Sequence, residues 1–225
     1  MQGNLIGPAH VPTAARGGRA HFWIVRAWRH AREQASRLAG DTRAIAATEF
    51  AVIVPIMLVL LFGVIEFSNG FTAYRKVSIM AHTLSDLTSQ SASVQDSDLN
   101  NFFCASGGIM TPYVTMPNPC PPAPTSVTQS IVELWVNSSG QARVQWAKNS
   151  DGSTPIAAGT VVPIPASLAV ANTYVIYSSV SYTYVPVVDY AMNNHAGFVL
   201  SDFSYTRPRQ SQCVLYNTQT SCTQF

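Results

Sequence analysis

The chain has 225 residues, of which 11% are charged and 47% are apolar. Soluble domains contain about 25% charged residues and span roughly 100 to 200 residues each. The sequence therefore excludes two large enzymatic domains and predicts apolar surface that faces lipid or a partner. The net charge of +2 hides an asymmetry, because residues 1–43 hold seven Arg against Glu33 and Asp41, whereas residues 44–225 hold six basic and nine acidic residues.

The amino-terminal segment, residues 1–43, is an Arg-rich leader that we expect on the cytoplasmic side. Arg and Lys resist translocation, so a basic cluster that ends at an apolar run marks the cytoplasmic flank of a membrane helix. Residues 1–19 lack an apolar period and are predicted to be disordered, and residues 21–38 are predicted to form a basic amphipathic helix on the inner leaflet. Nucleic-acid binding is the competing interpretation, but Trp23 and Trp28 among the arginines favour a membrane interface, so no nucleic-acid partner is expected. The arginines are Arg16, Arg19, Arg26, Arg29, Arg32, Arg37 and Arg43.

An apolar run at residues 45–65 is long enough to cross a bilayer. Its 21 residues include a single ionisable group, Glu49. As a helix they rise about 31 Å, close to the thickness of the hydrocarbon core. We therefore assign residues 44–67 to a transmembrane helix. A cleaved secretory signal is the rival interpretation, and it fits poorly because a long basic segment precedes the run, a Glu lies near its start and no A-x-A site follows closely.

The helical pattern continues beyond the membrane. Apolar residues recur at spacings of three and four, which predicts a buried stripe on a helix that is continuous to about Leu87, with at most a kink at Pro55. After a polar break, a short helix is expected to begin with Asp98 as its cap, continue through Phe103 and end near Gly107 and Gly108. Residues 68–110 would thus form an extracytoplasmic helical region. The predicted stripe consists of Phe71, Tyr74, Val77, Met80, Ala81, Leu84 and Leu87.

Residues 111–225 are predicted to form a β-rich extracytoplasmic domain, which begins with a Pro-rich connection at residues 117–124. Alternating segments predict a hairpin, then a long strand with an antiparallel partner, and a fifth strand near residues 160–164. The predicted fold class is therefore α+β, with a long N-terminal transmembrane helix that extends into an antiparallel β-sheet domain. The four main strands are predicted at residues 130–136, 141–147, 174–185 and 197–205, with residues 137–140 as the hairpin turn.

Four cysteines, Cys104, Cys120, Cys213 and Cys222, all follow the apolar run. An even number of cysteines outside the cytoplasm usually means disulfides. The sequence alone leaves the three connectivities open. Pairing Cys104 with Cys120 and Cys213 with Cys222 is favoured because each bond closes a short loop rich in Pro, Asn, Ser and Thr, and free buried thiols are the alternative.

The sequence contains none of the common catalytic signatures, such as GxSxG, HExxH, a P-loop, GxGxxG or SxxK. Each His stands alone, and His195 in a polar turn is expected to be solvated. No CxxC or Cys/His spacing indicates zinc. The segment Asn137-Ser138-Ser139 fits the glycosylation pattern but is more economically the hairpin turn. We therefore expect no enzyme activity, no catalytic residue, no cofactor and no metal.

Glu49 is the most informative residue of the apolar run. Placing a carboxylate within a membrane helix costs on the order of a few kcal/mol, and less near the interface. The presence of Glu49 therefore indicates a partner or a role. In one interpretation Glu49 lies at headgroup depth and is solvated. In the other it pairs with a cation, such as a free amino terminus created by proteolysis at the membrane boundary.

Residues 44–55, AIAATEFAVIVP, and residues 60–67, LLFGVIEF, resemble the amino-terminal segment of TadE-like proteins, which are pseudopilins of the Flp/Tad (tight adherence) pilus system. In that family a small residue, usually Gly, precedes four residues and a Glu, then Phe-Ala, an apolar run with Pro and a second Glu, here Glu66. The resemblance covers about residues 43–90. The segments Tyr182 to Pro186 and Tyr205 to Arg209 also resemble the closing strands of the family.

The resemblance implies a pilin-like fold and a role as a minor pseudopilin or assembly component of a Flp-type (type IVb) pilus. The chain would cross the bacterial inner membrane once, with its amino terminus in the cytoplasm and its carboxy-terminal domain in the periplasm. A prepilin peptidase would cut between Ala44 and Ile45, although Ala44 stands where the family has Gly. Glu49 would then neutralise the terminal ammonium of a neighbouring subunit.

The partners implied by the resemblance are the inner membrane, the prepilin peptidase, and other pilins, pseudopilins and pilus assembly proteins. The alternative is an uncleaved bitopic envelope protein whose outer domain binds a ligand or a protein partner. That protein needs the same span, cysteines and sheet, but it has no need of Glu49.

Overall fold

The structure is a computed structural model that describes residues 42–115, 120, 126–187, 197–222 and 224. Four features predicted from the sequence lie wholly or mostly outside the described residues. These are the disordered tail at residues 1–19, the leader helix at residues 21–38, the Pro-rich connection at residues 117–124, and His195.

One long helix, α1, runs from Thr42 to Ser89 with Pro55 inside it. The predicted continuity from Ile45 to about Leu87 is therefore confirmed. The chain divides between Leu61 and Phe62 into two units. The described part of the first unit is the beginning of α1, whose side chains from Ile45 onward are almost all exposed, and the second unit holds the rest of α1 together with the sheet.

The buried stripe of α1 differs from the predicted one. Phe71 and Tyr74 are 55% and 43% exposed, so their assignment to the stripe was wrong, and Leu87 is only half-buried. Small and polar residues take part in the stripe because they allow the sheet to approach closely and because their hydroxyls find hydrogen-bond partners. A pattern that ranks residues by apolarity alone misses them. The buried stripe consists of Ala73, Val77, Met80, Ala81, Leu84, Ser85, Thr88 and Ser89.

A second helix, α2, runs from Asp96 to Gly107 and is followed by a 3-10 turn at Gly108–Met110. The predicted end near Gly107 is confirmed, but Asp98 is not the amino-terminal cap. Gln95 is the capping residue, and its backbone N–H donates to the Asp98 carboxylate over 2.9 Å. Asp98 therefore stabilises the helix start from inside the first turn, where a carboxylate also opposes the positive end of the helix dipole.

The main sheet has five strands in the order β4-β3-β2-β5-β6, all antiparallel to their neighbours. It contains each predicted strand, including the short fifth one. A separate pair, β1 and β7, is parallel and was not predicted, since two residues carry no alternation. The strands are β1 Ser93–Val94, β2 Val127–Val136, β3 Ala142–Asn149, β4 Val161–Val162, β5 Thr173–Tyr184, β6 Phe198–Thr206 and β7 Leu215–Tyr216.

The hairpin turn between β2 and β3 is held by Asn137. Its side-chain oxygen accepts hydrogen bonds from the backbone N–H of Ser139 over 3.0 Å and of Gln141 over 2.9 Å. Gly140 completes the turn with a φ of 80°, a left-handed conformation that suits Gly. The sequence Asn-Ser-Ser-Gly therefore forms the turn that its composition predicts.

Both faces of the sheet are covered, which explains the near-continuous burial of β2. One face packs against α1 and α2 through residues such as Ile131, Ile176 and Val180. The other face carries Val132, Leu134 and others, and it is covered by the β3–β5 connection. The domain therefore has two apolar layers, and α1 supplies one wall of the first.

Candidate functional site

The first half of α1 presents an apolar surface that no described residue covers. The most apolar stretch of this helix has a mean hydropathy of 2.7 with 0% of it buried, and it is the one described helix long and apolar enough to cross a membrane. Exposing so many large apolar side chains to water is unfavourable by roughly 25 cal/mol for each Å². The chain is therefore a membrane protein.

Glu49 lies on this exposed part of α1. Its neighbour Thr48 satisfies its own hydroxyl internally by donating to the Ile45 carbonyl over 2.8 Å. Thr48, Glu49, Val52 and Ile53 line one shallow groove along the helix. Among the described side chains no cation pairs with the Glu49 carboxylate, so the carboxylate is available to a partner outside this part of the chain.

Ala44 and Ile45 lie in the first turn of α1. Helix ends fray, so the backbone of the first turn unwinds locally more readily than the backbone of the helix interior. Four residues separate Ile45 from Glu49, which places the two residues on the same face one turn apart.

The second carboxylate of α1, Glu66, is half-buried and accepts a hydrogen bond from the Tyr184 hydroxyl of β5 over 3.3 Å. Burial, and next the Glu66 carboxylate, raise the pKa of Tyr184 to about 12. Tyr184 therefore stays protonated and remains a donor. The sequence indicated Glu66 through the family pattern, but its tyrosine partner lies 118 residues away and no local signal points to it.

A row of polar contacts fixes the carboxy-terminal half of α1 to the sheet. Ser178 of β5 donates to the Ala81 carbonyl over 2.6 Å, and Ser85 donates to the Ser204 hydroxyl over 3.1 Å. Thr206 of β6 donates to the Ser85 carbonyl over 3.1 Å. These buried contacts set the depth and rotation of α1 against the strands, because each is geometrically specific.

The segment after β6 returns to the end of α1. The Arg209 side chain pairs with the Asp86 carboxylate over 2.6 Å, and the Arg209 backbone N–H donates to the Ser89 carbonyl over 2.9 Å. The ion pair is exposed and contributes little by itself. Through these two bonds, Arg209 attaches the segment after the last long strand to the carboxy-terminal end of α1.

Two disulfides lie at the edges of the domain. Cys104 of α2 bonds to Cys120 with a Cα–Cα distance of 6.0 Å, and Cys213 bonds to Cys222 with a Cα–Cα distance of 5.9 Å. Of the three possible connectivities, this is the one that short loop closure favours. The first bond links Cys120 to α2. The second bond closes a short loop that contains the strand β7.

Glu133 is a buried carboxyl on β2 that the sequence gave no reason to single out. It accepts hydrogen bonds from Trp146 Nε1 over 2.9 Å and from the Val214 backbone N–H over 2.5 Å. Burial raises the pKa of Glu133 to about 8, although the two donors oppose the shift. The residue attaches the Cys213–Cys222 segment to the sheet, and within the described part of the chain no group of ionisable side chains is arranged to hold a metal ion.

These observations define an α+β membrane protein with an apolar helix, two disulfides and no assembled catalytic group among the described residues. The family model described as TadE-like protein matches residues 44–84. This match confirms the resemblance to TadE-like proteins over the apolar helix and most of the buried stripe. Comparison with curated proteins and with solved structures returned no match.

Proposed function

We propose that the chain is a minor pseudopilin, an assembly component of a Flp-type tight-adherence pilus, that acts without chemistry of its own. The observation that carries the proposal is the TadE-like match at residues 44–84 on an exposed apolar helix whose Glu49 carboxylate pairs with no cation among the described side chains. Before assembly the exposed apolar surface of such a helix must be covered by lipid, and after assembly it must pack against other helices. The β-sheet domain would lie in the periplasm and meet neighbouring subunits laterally.

Processing would occur between Ala44 and Ile45, at the start of the apolar helix. A prepilin peptidase would remove the Arg-rich leader and leave Ile45 as the new amino terminus. Glu49 would then be the fifth residue of the mature chain. At low dielectric its carboxylate would attract the terminal ammonium of an adjacent subunit, which would set the stagger between neighbouring helices.

The alternative function is an uncleaved bitopic envelope protein whose outer domain binds a ligand or a protein partner. The two disulfides and the two-layered domain suit both functions. The exposed Glu49 favours the first, because a carboxylate on the lipid-facing surface of an uncleaved anchor is costly and serves nothing.

Amino-terminal sequencing of the membrane-extracted full chain, expressed with and without a prepilin peptidase, tests the proposal. We expect Ile45 as the amino terminus only when the peptidase is present. Ala44→Leu should block the cut because a bulky side chain does not fit a pocket made for Gly or Ala, whereas Ala51→Leu, on the same helix, should be cut normally. An intact leader in the presence of an active peptidase would support the bitopic alternative.

A further inference from the structure

A groove between α1 and the sheet lies close to the end of the apolar run. It is lined by Glu66, Phe67, Gly70 and Phe71 of α1 and by Tyr184 and Phe198 of the sheet, with a volume of about 350 Å³. Among the described residues that line it, the one charged group is Glu66, which already accepts a hydrogen bond from the Tyr184 hydroxyl. The remaining walls are apolar, so the groove suits an apolar occupant that needs no hydrogen bond.

The width of the groove depends on Gly70. A Cβ atom at this position would lie 3.7 Å from the Phe198 ring and 3.7 Å from the Tyr184 ring. An added Cβ atom at position 70 would therefore be in van der Waals contact with both aromatic rings. A larger side chain would fill the space between the helix and the rings.

The rim of the groove continues the lipid-facing surface of the helix. Phe62 and Ile65 are 54% and 46% exposed, and Phe67 and Phe71, which follow on the helix, are 77% and 55% exposed. The Phe67 and Phe71 rings stack with centroids 6.5 Å apart. Glu66, Ser68 and Asn69 also lie on this stretch of the helix, but the stacked rings of Phe67 and Phe71 form an apolar strip between the span and the groove.

The groove begins within the headgroup layer, since Glu66 and Phe67 directly follow the apolar run, and it ends just beyond that layer at Phe71. From Ile65, at the end of the apolar run, to Phe71 a helix rises about 9 Å. The headgroup region adds about 5 to 8 Å on each side of the hydrocarbon core, and amphipathic surfaces bury their apolar face about 5 to 10 Å deep at this boundary. A groove at this height is within reach of the acyl chains of the nearest leaflet.

We propose that this groove binds an acyl chain of a phospholipid from the bilayer leaflet nearest the sheet. The groove adjoins the membrane surface through Phe67 and Phe71, so lipid is present wherever the helix is inserted. Its described lining offers no unpaired charge that would orient a polar protein partner. Lipid binding here depends only on the membrane span, and it holds whether or not the chain enters a pilus.

Photo-cross-linking of the full chain in phosphatidylethanolamine–phosphatidylglycerol nanodiscs tests the proposal. p-Benzoylphenylalanine replaces Phe71 or Phe198, with Phe203 as the matched control. Phe203 is 55% exposed on the same strand as Phe198 but contacts Tyr177 and Tyr205 away from the groove. We expect phospholipid mass adducts at positions 71 and 198 and none at position 203.

Each other outcome overturns the lipid assignment. Cross-links from positions 71 and 198 to a second copy would make the groove a subunit interface, and cross-links to residues 188–196 would make it a contact within the chain. Unreacted or water-quenched probe at both positions would show an empty groove. Gly70→Leu should abolish the adduct at position 198, while Gly63→Leu, where an added Cβ meets open space, should leave it unchanged; equal adducts in both variants would place the lipid outside the groove.

Discussion

Tyr184 of β5 donates its hydroxyl to the Glu66 carboxylate of α1 over 3.3 Å, and the two residues are 118 positions apart in the sequence. Glu66 follows the last residue of the apolar run, and Tyr184 ends the longest strand of the sheet. The bond therefore connects the helix to the sheet at the point where the helix leaves the span. Polar contacts further along α1, such as Ser178 to the Ala81 carbonyl, continue the same connection.

Tyr184→Phe is expected to destabilise the domain by about 1 kcal/mol, because a partly buried carboxylate loses its donor while the ring packing is kept. Urea unfolding of the detergent-solubilised chain, followed by Trp fluorescence, to which the buried Trp146 contributes, measures the change. Tyr74→Phe is the control, since the Tyr74 ring is 43% exposed and its hydroxyl has no described partner. Equal stability of the two variants would show that the Glu66–Tyr184 bond adds nothing.

The helix and the main strands were predictable because local patterns encode them. A long apolar run followed by apolar residues at helical spacing gives α1, which continues through Pro55, and the alternation in β2, β3, β5 and β6 gives the sheet. The stripe on α1 was misassigned at Phe71 and Tyr74 because burial there depends on which face the sheet approaches. Ser85 was missed for the same reason, since its partner Ser204 is distant in sequence.

Two carboxylates of α1, Glu49 and Glu66, could be singled out from the sequence, and the assembly role of Glu49 stays a prediction. Glu49 stands out because a carboxylate within an apolar run is rare. Glu133 does not stand out, because an isolated Glu in an alternating strand is usually exposed. Its burial is decided by the return of the Cys213–Cys222 segment, whose Val214 backbone N–H reaches the carboxylate. The two partners are 81 positions apart in the sequence, so no local pattern reveals the contact.

Glu133 is expected to make the stability of the domain depend on pH. Burial raises its pKa from 4.5 to about 8 in the folded state. Between these two values the folded chain holds a proton that the unfolded chain has released, so the free energy of unfolding should fall as the pH rises from about 4.5 to about 8. Each unit of pKa difference corresponds to about 1.4 kcal/mol, so the total decrease would be roughly a few kcal/mol.

The pH dependence is measured by urea unfolding of wild type and Glu133→Gln across this range. Gln resembles the protonated carboxyl in shape and charge, so the variant should show a flatter profile and should gain relative to wild type as the pH rises. Asp151→Asn is a control, because that carboxylate is fully exposed. Parallel profiles for wild type and Glu133→Gln would mean that Glu133 ionises in the folded protein as it does in water.

The two disulfides should stabilise separate edges of the domain. Cys104–Cys120 and Cys213–Cys222 span sequence separations of 16 and 9 residues. Loop closure gives each bond roughly 2 to 4 kcal/mol. Reduction should therefore loosen the two edges before the sheet unfolds, and hydrogen exchange should rise first around β7 and the end of α2. Non-reducing peptide mapping provides the check on pairing, and recovery of Cys104 with Cys213 would exclude this arrangement.

Glu49→Ala is expected to leave membrane insertion intact and to impair incorporation into the pilus assembly. Removing a carboxylate from the span favours insertion by up to a few kcal/mol, so a loss of assembly cannot come from a failure to reach the membrane. Membrane fractionation measures insertion, and co-purification with pilus subunits together with counts of surface pili measures assembly. Thr48→Ala is the matched control on the same turn, because its hydroxyl donates to the Ile45 carbonyl of its own helix and its loss should change neither readout. Normal piliation by Glu49→Ala at wild-type protein level would remove the assembly role from Glu49. If Thr48→Ala also reduced piliation, neighbouring subunits would recognise the helix surface and not the carboxylate.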